Sequence, residues 1–572
     1  MFRRQRIVPF LILTSSVKNL FYCVVFLLVS CAVQAQNRIA TEADRRMYGE
    51  YITPGDLIID TPTRVTRNGN RDVIFYFMPK QWPRLREGAT LWLDGDKLGE
   101  LNEIKFCNTA EAMTPWHIES ARVKNIPHTQ VMASSFSCHG LKNFELDGQS
   151  SAFPGLAAWP ATRKFLNGAF GFHIISTMVG GHGYHVTVRD GGTVRLNGFE
   201  AQFGFSGVRI NGGTYDMTVE SIELNNFYIH DTGNGEGTYL GATHKPPLAK
   251  LKNLTIHNGI ITRTAAEALQ VQHLAGGADI HNVTIFAADV RWISEFMSGQ
   301  DTGIQWSVDA GENKLHHILL DGFASIGLMP FGSDEMSGDG VSVVSNVVFN
   351  DGRDTGVYLH KSGRFGVHWI FDNVFFRGFT ATYYKQTGRK ERNFYVSTKH
   401  GTDKVTFKNI YHDGSKPKVF QDTSGIEVKG PITRKELPKP VYVNSGFHEP
   451  AHRIKQWHPF YAPYFPVSKR DSIKVRVPTQ WDAGDIAIET MGTYRFYKCV
   501  KEHAADDRRP GNSPFFIGLT WDVDGVRSDQ PGWDENSAQS DFPPDDLRLE
   551  KNNYWKKAGI GFQEEFLDVQ PQ

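Results

Sequence analysis

A short apolar-alternating segment, punctuated by Asn, Asp and Gly, recurs through the middle of this 572-residue chain. An early copy spans 143–148. Later copies begin at Val194, Ile222, Leu254, Val283, Ile318, Val347, Val374 and Val405, with successive starts 27 to 35 residues apart. One such segment cannot bury its apolar face alone, whereas stacked copies share a continuous core, and a period in this range built from strands and turns indicates a solenoid. The copies are too strand-rich for helical repeats and lack a Leu-rich consensus. A coil of three short strands and three turns fits the period. Alternation sends apolar side chains inward and polar ones outward, and Asn and Gly at the corners supply the left-handed backbone the turns need. The expected fold is all-β: a right-handed parallel β-helix over 141–429.

A second series lies between those copies, at 207–211, 237–241, 268–272, 303–307 and 356–360. Aligned by the period of two, Val208, Thr238, Leu269, Ile304 and Val357 point inward, as do Ile210, Leu240, Val271, Trp306 and Leu359. Arg209, Tyr239, Gln270, Gln305 and Tyr358 then form one outward ladder, and Asn211, Gly241, Gln272, Ser307 and His360 a second. The rung near 326–331 has no clear register because of Met329-Pro330. Rungs stack about 4.8 Å apart, close to the spacing of sugar rings along a glycan. An exposed row of amides, phenols and a guanidinium suits hydroxyls, ring faces and an anionic substituent. Charge gathers beside these strands at Asp231, Glu236, His244, Lys245, Arg263, Glu267, His273, Asp309, Asp354, Lys361 and Arg364.

Three uses of such a groove are open. Elimination on a uronate glycan needs a base for the C5 proton, an acid for the leaving oxygen and a group to stabilise the developing enolate. Tyr239, His244 or His360 are candidates for the proton transfers, and Arg209, Lys245, Arg263 or Lys361 for the carboxylate. Hydrolysis needs two carboxylates, for which Glu236, Glu267, Asp231 and Asp309 are available. The third is glycan binding without catalysis, as in an adhesin. The Tyr, His, Lys and Arg content favours elimination, with Asn211, Glu236, Gln270, Gln272, Gln305, Asp309, Tyr358 and Lys361 as substrate contacts. Residues 141–429 resemble the pectate-lyase-like β-helix proteins of carbohydrate metabolism. The resemblance implies architecture rather than chemistry. Many lyases of that fold use calcium, but only Asp334, Glu335 and Asp339 offer an oxygen cluster here. No cofactor is expected, with calcium as the alternative.

The flanks carry further expectations. Arg3, Arg4, Arg6 and Lys18 precede an apolar run from Leu20 to Val29 and small residues at Ser30, Ala32 and Ala35, the order of a secretory signal peptide over 1–35. Residues 28–31 also match a lipobox, in which Cys31 would carry a lipid anchor to the cell envelope. Export to the periplasm or medium is expected, and the run is short for a membrane span. Equal numbers of basic and acidic side chains, 62 each, argue against a nucleic-acid partner. An oxidising compartment permits one bridge, Cys107–Cys138. Residues 36–140 are expected to cap the coil and 430–478 to form a linker or packing arm. The tail, 479–572, resembles small chitin- and cellulose-type carbohydrate-binding modules through Trp481, Tyr494, Trp521 and Trp555, whose faces would stack on sugars. Asn253 and Asn282 match glycosylation acceptors but fall at strands and are read as structural. A monomer acting on a polysaccharide is the expected form.

Overall fold

The structure, a computed structural model, describes residues 38–48, strand segments between 57 and 133, most of 136–445, segments between 454 and 527, and 545–563. Within 136–445 the largest stretches outside this description are 149–170, 176–181, 243–248, 289–301, 332–339, 360–366 and 380–392. Residues 1–37, where a signal peptide is expected and which include Cys31, also lie outside it.

Thirty-one strands join in one continuous sheet that coils into the expected right-handed parallel β-helix, with pairing parallel from rung to rung. Three faces run its length. On the first, Val208, Thr238, Leu269, Ile304, Leu328, Val357 and Val396 stand in one register column. On the second, Leu196, Leu224, Ile256, Ile280, Leu315, Val344 and Phe371 do so. On the third the column is Phe199, Phe227, Gly259, Val283, Ile318, Val347 and Val374. These columns meet in one core, with Phe199 stacked on Phe227 at 5.7 Å and Phe349 on Phe376 at 5.4 Å. The rung without a clear register in the sequence is Ile326–Phe331, which places Met329 beside Gln305 and Pro330 beside Trp306.

Two corners explain the residue types found there. Between the second and third faces, Asn226, Asn258, Asn282, His317, Asn346 and Asn373 have φ of 49° to 60°, a conformation that Asn tolerates better than most side chains. Asn226 and Asn258 also pass side-chain hydrogen bonds to the preceding rung, onto Asn197 (3.0 Å) and Asn225 (3.2 Å). Asn253 and Asn282 both sit at left-handed corners, at φ 45° and 53°. Between the third and first faces, glycines recur at 183, 207, 237, 303, 327 and 356. A Cβ on Gly237 would lie 2.4 Å from the Ala268 carbonyl oxygen and 2.6 Å from Ile261 Cγ2. Ala268, between Gly237 and Gly303 in the same column, is the one larger residue in this series, so the corner takes nothing beyond a methyl group.

The coil begins before residue 141. Thr90–Leu93 and Ser120–Asn125 extend the second face, Ile104–Cys107 the first, and Val131–Ala133 the third, all in parallel. The described part of the cap is smaller than expected: Arg38–Ile39, antiparallel to Leu57–Ile59, and the helix Glu42–Tyr48. Asp44 caps that helix by accepting from the Thr41 N–H and Oγ1, each at 2.8 Å. The expected bridge falls partly outside the description. Cys138 is buried in the core, and the Cys107 side chain lies outside the described residues.

A strap packs on the third face, built from two distant pieces. Tyr442–Ser445 pairs antiparallel with Asp545–Leu549, and the helix Tyr554–Lys557 follows, capped by Asn553. Tyr442 donates to Asp321 Oδ2 at 2.6 Å, the Phe562 N–H donates to Thr284 Oγ1 at 2.9 Å, and Trp555 packs edge-on against Phe375 at 5.1 Å. Trp555 is fully buried, with its Nε1 donating to the Pro438 carbonyl. It therefore belongs to this interface and cannot serve as a sugar platform. Trp481, Tyr494 and Trp521 fall in strands of the tail, in Gln480–Trp481, Thr493–Cys499 and Phe516–Asp522, and their side chains lie outside the described residues. Among the described residues no helix is long and apolar enough to cross a membrane.

Ile256 lies fully buried between Leu224 and Ile280. Ile256→Ala should lower the unfolding free energy by about 2–5 kcal/mol in denaturant titrations, the cost of a cavity in a closed stack. Tyr442→Phe leaves buried Asp321 one donor short and should cost about 1–3 kcal/mol in the same assay.

Candidate functional site

The register places the expected outward ladder on one face. Arg209 pairs with Tyr239, Tyr239 with Gln270, Gln270 with Gln305, and Gln305 with Met329, beside which Tyr358 follows. Exposure divides this ladder. Gln270 and Gln305 are buried, as are Asn211, Gln272 and Ser307 in the neighbouring column. Gln272 Nε2 donates to Gln305 Oε1 at 3.1 Å, and Gln305 Nε2 donates to Glu267 Oε1. The expected open row of amides is thus buried: Gln272 and Gln305 join an internal network, while Gln270 Oε1 has no hydrogen-bond partner. Glu267 is fully buried at its end, and Asp309 is buried 3.1 Å from His273 Nδ1. Neither carboxylate is presented to a glycan. His273 has φ 57° in a bulge between Val271 and Leu274 that turns this segment off the regular ladder.

Arg209, Tyr239 and Tyr358 remain partly exposed. The richest group surrounds Arg209. The glycine corner lets the residue before each glycine stack as a column, because the Gly183, Gly207 and Gly237 N–H groups donate to the Ser206, Glu236 and Glu267 carbonyls at 2.9, 3.1 and 2.8 Å. His182, Ser206 and Glu236 thereby stand beside Arg209 and Tyr239. Arg209 Nη1 lies 3.1 Å from His182 Nε2, His182 Nδ1 lies 2.7 Å from Ser206 Oγ, and the Arg209 guanidinium carbon lies 5.4 Å from the centre of the Tyr239 ring. Guanidinium only donates, so His182 Nε2 accepts and its Nδ1 carries the proton toward Ser206. The imidazole is fixed in one neutral tautomer with its basic nitrogen at the arginine. His185 adds a second imidazole, 4.9 Å from His182. Arg209 Nε is buried without a hydrogen-bond partner, so the guanidinium has an unused donor.

Glu236 is 5% exposed, and burial pushes its carboxyl up to about 6, partly offset by the Arg209 charge. A carboxyl with that value changes state a little below neutrality.

His244, Lys245, His360 and Lys361 lie outside the described residues, as do Asp334, Glu335 and Asp339, and the Arg263 side chain is not described either. His182, His185 and Ser206 were missed by the sequence alignment. Residues 183–186, Gly-Tyr-His-Val, repeat the glycine start of the rung at 207–210, and extending the series one rung back would have found them. Two groups among the described residues have the donors for a metal ion. His173 and His230 lie 3.2 and 2.9 Å from Glu200 Oε1, all three buried on the third face, and Asp279, His281 and His316 are partly exposed on the second.

Comparison with known proteins finds no match among family models, curated proteins or solved structures.

The Glu236 carboxyl sets a pH signature. Its folded value lies above the unfolded one near 4.5, so its contribution to stability is complete below about 4.5 and is lost as pH rises through about 6. Glu236→Gln cannot ionise. It should therefore be more stable than the parent at pH 8, by up to about 2 kcal/mol, and show no gain at pH 4, as read by thermal melts at both pH values.

Proposed function

We propose that the protein is an exported polysaccharide lyase that cleaves an acidic, uronate-containing glycan by β-elimination at the Arg209 cluster. The observation that carries this reading is the Arg209 fork itself: one nitrogen rests on a neutral imidazole, another is buried without an acceptor, and the side chain is partly exposed. An anionic oxygen entering there would meet a preformed donor.

In this reading Arg209 pairs with the uronate carboxylate and stabilises the negative charge that spreads onto it as the C5 proton leaves. The incoming carboxylate draws the guanidinium away from His182 Nε2, whose lone pair then accepts the C5 proton. The C5–H electrons form the C4–C5 double bond, the C4–O bond breaks, and the Tyr239 phenol protonates the departing oxygen. The products are a chain ending in an unsaturated uronate and a second chain with a new reducing end. Ser206 holds His182 in the required tautomer, and Glu236 tunes Arg209 through its charge state.

Hydrolysis is less well supported. Its carboxylate pair would be Glu236 and Glu267, on successive rungs, but Glu267 is fully buried and engaged by Gln305.

Incubating the protein with a panel of acidic polysaccharides should raise absorbance in the unsaturated-uronate band. His182→Gln and Tyr239→Phe should each slow this by about 10²-fold or more while the melting temperature holds. Arg209→Lys should raise KM and lower kcat together, since a point charge replaces a fork. Reducing ends without the absorbance would overturn the reading in favour of hydrolysis. Glycan binding with neither signal would overturn it in favour of a binding protein.

A further inference from the structure

We propose that Asp279, His281 and His316 form a binding site for a divalent first-row transition-metal ion on the outer face of the second sheet, away from the Arg209 cluster. His257, His281 and His316 occupy one register column on consecutive rungs, with ring centroids 5.3 and 5.0 Å apart and the last two rings stacked nearly parallel, at 4°. Asp279 precedes His281 by two residues and so projects from the same face. Its Oδ1 lies 3.0 Å from His281 Nδ1 and 2.9 Å from His316 Nε2. Donors bound at about 2.1 Å to one ion stand roughly 3 Å apart when adjacent, so these separations suit a shared cation.

The surrounding groups fit the ion as well as the ligands do. At present Asp279 Oδ1 is held by a proton from each imidazole, and binding replaces those protons with the metal. His316 must then carry its proton on Nδ1, which lies 2.7 Å from His317 Nδ1, a ready acceptor that fixes the new tautomer. His257 Nε2, one rung away, is occupied by Glu223 Oε1 at 3.7 Å and stays outside the ligand set. The side chains of His281 and His316 are 25% and 24% exposed and that of Asp279 is 45% exposed, so an ion reaches them from solution and keeps water in its remaining positions. The buried group at Glu200 has no comparable access. Two imidazoles and one carboxylate select zinc, nickel, cobalt or copper over calcium.

The test is a titration of the untagged full-length chain with Co²⁺, followed by calorimetry and by visible absorption. One equivalent should bind, with absorption bands of nitrogen-ligated cobalt. Asp279→Asn and His316→Gln should each weaken binding by about tenfold or more, whereas His230→Gln should leave it unchanged. Thermal melts without metal establish that each variant is folded, and His281→Gln serves if one is not. Absence of binding by the parent would overturn the proposal. So would undiminished binding by the double variant His281→Gln/His316→Gln, or loss of binding in His230→Gln alone. None of these readouts depends on glycan turnover, so the site stands or falls independently of the lyase reading.

Discussion

The structure depends on the parallel hydrogen-bonded ladder that locks each rung to the next in one register. Side chains in a strand alternate between core and surface, so a slip of one residue would expose Leu224, Ile256 and Ile280 together and bury their charged neighbours. That penalty is shared along the coil and makes the register strict. The same strictness brings Arg209 and Tyr239, 30 residues apart in the chain, side by side. The site is made of long-range neighbours whose only connection is the stack beneath them.

The first face shows how burial sorts residues of similar chemistry. Gln270, Gln272 and Gln305 stand where an outward ladder should meet solvent, yet all three are buried, with Gln272 and Gln305 spent on one another and on Glu267. Arg209 has the same strand position two rungs earlier and keeps a donor in reserve. Tight glycines at the adjoining corner hold His182, Ser206 and Glu236 in a second column against it. Glu236 is placed where its negative charge is costly, and the nearby guanidinium offsets only part of that cost. Such a balance is sensitive to any further anion in the neighbourhood.

The coil was legible in the sequence because its signal is repeated: a period near 30, alternation within each copy, and Asn or Gly at each corner. The inward and outward alignment from Val208 to Leu359 followed from the period of two alone. What the sequence left unread depends on depth and on partners that no local pattern encodes. Gln305 and Tyr358 look alike as outward positions, but only the fold decides which is covered. Trp555 reads as a sugar platform by residue type and is packed against Phe375 instead. Residues 90–95, Thr-Leu-Trp-Leu-Asp-Gly, end as the copy at 143–148 does, so the start of the coil before residue 141 was legible though it was read as a cap.

The strap along the third face has a topological consequence. Its two strands, Tyr442–Ser445 and Asp545–Leu549, lie antiparallel, so the chain departs from the coil and comes back at adjacent points. Everything between them, including the five-stranded sheet of the tail, is an insertion moored by a double tether rather than a pendant on one linker. Two moorings restrict the directions in which that sheet can turn. They also mean that a protease cutting both tethers would release the insert while the final segment, clasped through Trp555 and Phe562, remained fastened to the coil without a covalent link.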